Sequence, residues 1–243
     1  MNGTLEEADG YCSTLLARLD KIPADVQPFV IPPFTALDRV SGALRDSRVL
    51  VGAQDVHWEQ RGAFTGEVSA ELAADAGAVL AEIGHSERRE LFAETDDRVG
   101  AKVRAALDAG LRPLVCVGEP GAERDAGAHL DYVAREVRHA VRGAGADEEV
   151  GRLLFAYEPV WAIGEHGRPA SIGEVAEMRA HLRSVLGEVL GPAGSAVPVF
   201  YGGSVNPDNA SELLSVNDVD GLFVGRSAWT AAGLLEVIAA AAG

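Results

Sequence analysis

Two side chains that could exchange protons with a substrate stand at the ends of apolar runs in this sequence. His85 follows the run 79–83 after one glycine and enters a predicted helical turn. Because the amino end of a helix carries partial positive charge, we expect a lowered pKa for the His85 imidazole. A neutral imidazole could donate a hydrogen bond to a carbonyl or enediolate oxygen. The alternative is a histidine that caps the helix or fills the core.

Glu158 directly follows the apolar run 153–157 and is the second candidate. A carboxylate in such a place is costly to bury unless it is paired or takes part in chemistry. Partial burial raises the pKa of a carboxyl group and makes it a stronger general base. The next residues, Pro159 and an apolar stretch ending at Gly164, suit a hinged lid that excludes water. The alternative is a salt-bridged acid at the end of a strand.

Glycine-bearing segments follow the last two apolar runs of the chain. Their residues of interest are Gly202, Gly203, Ser204, Gly225 and Arg226. Glycine lets the backbone come close to a ligand, and backbone N–H groups ahead of a helix suit a phosphate group. Either segment alone could be only a turn. Two of them in succession, after a histidine and a glutamate at earlier run ends, favour a phosphate site.

These segments need a scaffold, and the hydrophobic pattern predicts seven strands that alternate with helices. The runs lie at 29–31, 49–53, 79–83, 114–117, 153–157, 197–201 and 222–224. Their continuous apolar character is typical of strands buried on both faces of a parallel sheet. Two of the helical stretches begin with a capping-box pattern, Thr4 with Glu7 and Ser171 with Glu174. This order fits a doubly wound sheet or a closed barrel, and both place active sites at the carboxyl ends of strands.

The composition argues against several classes of partner. The 243 residues carry a formal net charge of −16, which repels nucleic acid and anionic membranes. The sequence has no apolar run long enough to cross a bilayer, and its first residues lack the features of a signal peptide. The two cysteines form no C-x-x-C motif, which favours reduced thiols and a cytoplasmic location. No linker divides the chain, so we expect a single domain over residues 1–243.

Over its whole length the sequence resembles the triosephosphate isomerase family. The matching motifs lie at 32–35, 52–55, 62–67, 84–89, 117–119, 156–164 and 201–205. The resemblance implies an α/β fold, the (β/α)8 TIM barrel. It also implies a homodimer and an isomerase that needs no cofactor and no metal. Such enzymes move a proton between neighbouring carbons of a small phosphorylated sugar through a cis-enediolate.

The resemblance also implies a role for each matching residue. The catalytic base falls on Glu158 and the electrophile on His85, with Glu87 beside the site. The phosphate contacts fall on Gly164, Ser204, Gly225 and Arg226, with Gly202 and Gly203 in the adjoining turn. The loop 64–67 would reach into a partner subunit.

The beginning of the chain departs from the family pattern. The family has a first strand ending in Asn-x-Lys just before a Met-Asn pair, and this chain begins at Met1-Asn2. We therefore expect the first β-strand of the barrel and the active-site lysine to be missing from this chain. A late-assigned start would explain this, and so would a genuinely shortened protein with an open barrel and poor activity.

Further departures bear on the substrate. Gly164 leads into the unusual segment 165–169, Arg226 stands where a second glycine is usual, and Asn206 where lysine is common. Together with 56–58 and 226–229, these look more like the erythrulose-phosphate isomerase branch of the family. Triose phosphate and erythrulose phosphate both stay open as substrates. The sequence could also belong to an inactive barrel that binds phosphorylated metabolites, or to a phosphate-binding lyase, but His85 and Glu158 argue against both.

Overall fold

The seven predicted strands are confirmed and form one parallel sheet in sequential order. The computed structural model describes residues 2–145, 147–164, 167–217 and 219–242. The strands are β1 (Phe29–Val30), β2 (Leu50–Ala53), β3 (Leu80–Ile83), β4 (Arg112–Val117), β5 (Leu154–Tyr157), β6 (Val199–Tyr201) and β7 (Gly221–Leu222). Each pairs in parallel with the next along the chain.

Helices lie between the strands and before the first of them. They are α1 (Leu5–Leu16), α2 (Leu37–Leu44), α3 (Ala70–Asp75), α4 (Ser86–Leu91), α5 (Asp96–Asp108), α6 (Gly121–Asp125), α7 (His129–Ala140), α8 (Asp147–Val150), α9 (Ile172–Gly194), α10 (Ala210–Leu214) and α11 (Ala231–Ala241). Both predicted capping boxes are confirmed, at Thr4 and at Ser171. Among the described helices, none combines the length and apolar character needed to cross a membrane.

The sheet is buried on both faces, which explains the continuous apolar runs in the sequence. Alternate residues pack outward against the helices, as Ile83 and Phe155 do. The intervening residues form a smaller inner cluster, with Leu80, Leu114, Cys116, Leu154 and Ala156 at its centre. The larger cluster is the core between the sheet and the helices. The smaller cluster is the core inside the curved sheet.

Aromatic rings on the inner face show how strongly the sheet curves. Phe29 of β1 stacks on Phe200 of β6, with ring centroids 6.0 Å apart, and on Phe223 just after β7, at 6.1 Å. These contacts bring the first and last strands towards each other across the interior. Sequential parallel order and this curvature are those of the expected (β/α)8 TIM barrel, with seven strands in the described part of the chain.

Strand boundaries differ from the expected ones where polar or cyclic residues interrupt the apolar pattern. β4 begins at Arg112, two residues earlier than predicted, because Arg112 and Pro113 still pair with Leu80 and Ala81. β7 ends at Leu222, although the N–H of Phe223 still donates to the carbonyl of Tyr201 at 2.8 Å. Neither change moves a predicted site residue away from the carboxyl ends of the strands.

Candidate active site

The carboxyl ends of the strands bring the two predicted proton-transfer groups together. His85 follows β3 and Glu158 follows β5, with β4 between them. The Nε2 atom of His85 lies 3.5 Å from Oε1 of Glu158. A base and an electrophile that face each other in this way are placed to act on adjacent atoms of one small molecule.

Glu158 fits at this point because its neighbours carry no side chain. A Cβ atom on Gly118 would overlap the carbonyl oxygen of Glu158, and one on Gly202 would lie 2.8 Å from its Cγ. The carboxyl group is buried, with 5% of the side chain exposed. Its Oε2 atom has no hydrogen-bond partner among the described residues. A buried acceptor left free in this way costs free energy, and it is also the state that a general base needs.

His85 is held at the start of α4 by hydrogen bonds on both sides of the residue. Its Nδ1 atom accepts the backbone N–H of Glu87 at 3.3 Å, so the ring does cap the helix. Gly84, with φ +79°, turns the chain from β3 into this helix. The Nε of Arg89 donates to the Gly84 carbonyl at 2.8 Å. The cap and the chemical role are compatible, because the capping bond leaves Nε2 facing Glu158.

A buried cluster of charges beneath α4 fixes the same turn. Lys102 Nζ lies 2.7 Å from Asp55 Oδ1 and 2.5 Å from Glu94 Oε2. Arg88 bridges the same two carboxylates at 2.8 and 2.9 Å. The second oxygen of Glu94 accepts the N–H of Gly84, the residue before His85. Because a buried charge left without its partner is strongly destabilising, this cluster holds the His85 turn in one position.

The pKa of His85 differs from the sequence expectation. Burial disfavours the charged ring, but the hydrogen bond to Glu158 and the charges of Glu158, Glu82 and Glu87 outweigh it and raise the pKa to about 9. The helix end still acts in the predicted direction, because a proton on Nδ1 would displace the N–H of Glu87. In the substrate-free site the carboxylates prevail. A substrate that enters between His85 and Glu158 would weaken the strongest of these raising influences.

Glu87 lies beside the pair, as expected, but at the rim of the site. Its Oε2 atom is 4.0 Å from His85 Nδ1, and 72% of its side chain is exposed. Its backbone N–H therefore contributes more directly to the geometry than its carboxylate does.

The predicted phosphate residues gather around the ends of β6 and β7. Ser204 donates its hydroxyl to the carbonyl of Ala162 at 2.7 Å, which ties this turn to the segment after Glu158. Gly225 begins a short 3₁₀ turn, Arg226–Ala228. The backbone N–H groups of Gly164, Ser204, Gly225 and Arg226 make no hydrogen bond within the described residues. Free N–H groups at the start of turns suit an anion.

Gly202 and Gly203 have packing roles that the sequence did not reveal. The N–H of Gly202 already donates to Tyr157 at 2.8 Å. A Cβ atom on Gly203 would overlap the hydroxyl group of Tyr201. Both glycines thus make room for neighbouring side chains, and their contact with phosphate stays a prediction.

The segment 160–169, called the lid below, is anchored at both ends. Buried Glu119 accepts hydrogen bonds from Tyr157 Oη at 3.1 Å and Trp161 Nε1 at 2.8 Å. The Trp161 ring lies 4.2 Å from the guanidinium carbon of Arg168. Arg168 also forms a bidentate ion pair with Glu174 at the start of α9. Glu165 and His166, part of the unusual segment 165–169, lie outside the described residues.

The Arg226 side chain is exposed to solvent, and its guanidinium group reaches the lid. Its Nη2 atom donates to the carbonyl of Gly164 at 2.8 Å. Gly164 adopts a φ of +86°, a left-handed conformation that favours glycine. Arg226 therefore links the turn after β7 to the lid, a contact that a glycine at this position could not make.

Similarity to a known family agrees with this geometry. A family model described as triosephosphate isomerase matches residues 1–241. The chain belongs to the triosephosphate isomerase family. As a member of that family it is an isomerase, which confirms the enzyme class expected from its motifs.

Within the family, similar curated proteins carry a more specific name. L-erythrulose-1-phosphate isomerases from Mesorhizobium japonicum, Rhizobium etli and Mycolicibacterium smegmatis are 46%, 48% and 47% identical to this chain. The matches cover 98%, 98% and 100% of this chain and 92%, 88% and 90% of those proteins. A crystal structure of triosephosphate isomerase from Bartonella henselae is 34% identical, with a TM-score of 0.89, and the match covers 100% of this chain and 96% of that one.

We predict that Glu158→Gln lowers turnover by about 10²–10⁴-fold, because the amide keeps the size of the side chain but cannot accept a proton. The measurement is steady-state kinetics on purified protein with an intact far-ultraviolet spectrum. Glu188→Gln on the surface of α9, which loses only an exposed ion pair with Arg138, is the matched control. A Glu158→Gln protein as fast as this control would remove Glu158 from the reaction.

We predict that Arg226→Gly raises KM by about three- to tenfold with a smaller change in kcat, since a hydrogen bond from a charged donor to the lid is lost. Arg226→Lys keeps the charge but not the planar donor group, so its KM should fall between those of the wild type and Arg226→Gly. If both variants keep KM within about twofold of the wild type, the side chain of Arg226 has no part in ligand binding.

Proposed function

We propose that this protein interconverts L-erythrulose 1-phosphate and D-erythrulose 4-phosphate through a cis-enediolate. The observation that carries the proposal is the facing pair of His85 and Glu158, 3.5 Å apart beside glycine-bearing turns that suit a phosphate. The choice of a four-carbon substrate is supported by relatives of that name at 46–48% identity.

In this reaction Glu158 takes the proton from carbon 3 of L-erythrulose 1-phosphate. The electrons of the broken C–H bond form a double bond between carbons 2 and 3, and negative charge develops on the oxygen of carbon 2. His85 Nε2 donates a hydrogen bond to that oxygen and passes a proton between the two enediol oxygens. Glu158 then returns its proton to carbon 2, which leaves the carbonyl on carbon 3. No net oxidation occurs, because the carbonyl moves within one molecule.

The phosphate is held by backbone dipoles rather than by the overall field of the protein. With a net charge of −16, the chain offers a dianion little general attraction. We assign the phosphate contacts to the N–H groups of Gly164, Ser204, Gly225 and Arg226. Gly202 and Gly203 shape the turn behind them, and Glu87 supports His85 from the rim.

Triose phosphate is the second candidate substrate, because it needs the same two groups and the same phosphate site. The fold match to a triosephosphate isomerase over the entire chain favours this candidate. The two reactions differ only at the end of the substrate away from the phosphate, where glyceraldehyde phosphate has a hydrogen and erythrulose phosphate a hydroxymethyl group.

We also propose a homodimer, formed through the surface around α4. Leu91 and Phe92, at the end of α4, are 68% and 62% exposed, and Phe64 in the loop 64–67 is 41% exposed, which is unusual for large apolar side chains. Light scattering on the purified protein should give twice the mass of one chain. In the Phe92→Glu variant the measured mass should fall towards that of a single chain. A monomeric wild type would exclude this assembly.

We also propose a cytoplasmic location. It is supported by the two cysteines, Cys12 and Cys116, which are buried and form no disulfide. Cell fractionation tests it. Limited proteolysis tests the proposed single domain over residues 1–243, which should resist cleavage between its strands.

A substrate panel tests the proposed reaction directly. We predict that the purified protein turns over L-erythrulose 1-phosphate with a kcat/KM at least about tenfold above that for glyceraldehyde 3-phosphate. Nuclear magnetic resonance of the product mixture gives the positions of carbonyl and deuterium in D₂O. Turnover of the triose alone would replace the proposal with the second candidate, and deuterium that never appears on carbon 2 or 3 would contradict the enediolate.

A further inference from the structure

Glu82 is a carboxyl group inside the barrel to which the proposed mechanism assigns no contact with the substrate. It is the third residue of β3, between Ala81 and Ile83, which belong to the outer core. Leu80, two residues earlier, belongs to the inner cluster. Because side chains alternate along a strand, Glu82 lies on the inner face of the sheet, three residues before His85 in the sequence. Its partner on β4 is Leu114, another member of the inner cluster.

The surroundings of Glu82 do not compensate for its burial. The residue is 9% exposed. Within the described part of the chain, the carboxyl group of Glu82 makes no hydrogen bond and no ion pair. The buried carboxylates of Asp55 and Glu94, in contrast, both pair with Lys102. Such a group in an otherwise apolar interior is costly, and a purely structural position would be better filled by valine or isoleucine. The unused hydrogen-bonding capacity points to a ligand.

At neutral pH Glu82 is a hydrogen-bond donor as well as an acceptor. Burial raises its pKa to about 8, and the negative charges of Glu158, Asp55 and Glu87 act in the same direction, while His85 opposes them. Below that pH the group is a neutral carboxylic acid with one O–H. A neutral acid pairs well with a hydroxyl group, which can both accept and donate, and it does not repel an anionic substrate.

The position of Glu82 matches the end of the substrate that carries no phosphate. The phosphate residues lie at the ends of β6 and β7, and the reacting carbons belong between Glu158 on β5 and His85 on β3. A substrate laid along this line ends against β3, beside the inner face where Glu82 stands. Glyceraldehyde phosphate has only a hydrogen there, whereas a tetrulose phosphate has a hydroxymethyl group.

We propose that Glu82 binds the terminal hydroxymethyl group of a four-carbon ketose phosphate and thereby selects it over a three-carbon substrate. The inference rests on the proposed function, which it deepens by assigning substrate choice to one residue. Glu82 touches the substrate away from the reacting carbons, so it acts on specificity rather than on proton transfer.

The test compares kcat/KM for L-erythrulose 1-phosphate with that for glyceraldehyde 3-phosphate in the wild type and three variants. Glu82→Val removes both hydrogen-bonding atoms, and the ratio of the two values should fall at least about tenfold. Glu82→Gln keeps a donor and an acceptor and should lower the ratio less than about fivefold. Leu80→Val, on the same strand and face, removes volume without a polar group and should leave the ratio unchanged.

A pH profile gives a second readout that a structural role would not move. In the wild type the ratio should fall as the pH rises through about 8, because Glu82 loses its O–H and gains a charge. In Glu82→Gln the ratio should stay level. Four other titratable groups also face this region: His85, Glu158, Asp55 and Glu87. Their titration affects the turnover of both substrates alike, so its effect largely cancels in the ratio.

Each outcome decides the question. A wild type without activity on the tetrulose phosphate overturns the proposed function and this assignment together. A wild type active on it, with Glu82→Val and Leu80→Val giving the same ratio, overturns the role of Glu82 alone. If Glu82→Val is insoluble, the pH profile of Glu82→Gln decides, and a slope equal to that of the wild type overturns the proposal.

Discussion

The structure depends most on the contact between His85 Nε2 and Glu158 Oε1 across the mouth of the barrel. The two residues are 73 positions apart in the sequence, and only the parallel pairing of β3, β4 and β5 brings them within 3.5 Å. Gly118 and Gly202 leave the space that Glu158 occupies. The buried charges around Lys102 hold the turn that carries His85. Much of the surrounding packing can be understood as support for this one distance.

Part of the barrel mouth has a local positive potential, although the protein as a whole is negatively charged. The chain is strongly acidic, yet it belongs to a family that acts on phosphorylated sugars. The free backbone N–H groups after β6 and β7 offer local positive potential, and the guanidinium group of Arg226 lies in the same turn. On the opposite side of the mouth, burial disfavours the charged ring of His85, but Glu158, with smaller contributions from Glu82 and Glu87, raises the pKa of His85. The site thus has a side suited to an anion and a side suited to proton transfer.

Much of this arrangement could be predicted from sequence, because it rests on local patterns. The seven strands follow from apolar runs, the caps at Thr4 and Ser171 from four-residue patterns, and the positions of His85 and Glu158 from the ends of those runs. The remainder depends on long-range contacts. Asp55 and Lys102 are 47 residues apart, and nothing near either one predicts that they meet. The raised pKa of His85 has the same origin. Glu82 is visible in the sequence as an acidic residue within the apolar run 79–83. It is easily overlooked when the hydrophobicity of the run is averaged.

The most direct test of this account is the titration of the His85 ring, followed by nuclear magnetic resonance in the substrate-free protein. If the carboxylate of Glu158 controls the ring, the wild-type midpoint lies near pH 9, and in Glu158→Gln it falls by more than about one unit. The same midpoint in both proteins would contradict the account, because the two side chains would then not share the electrostatic interaction on which the site is built.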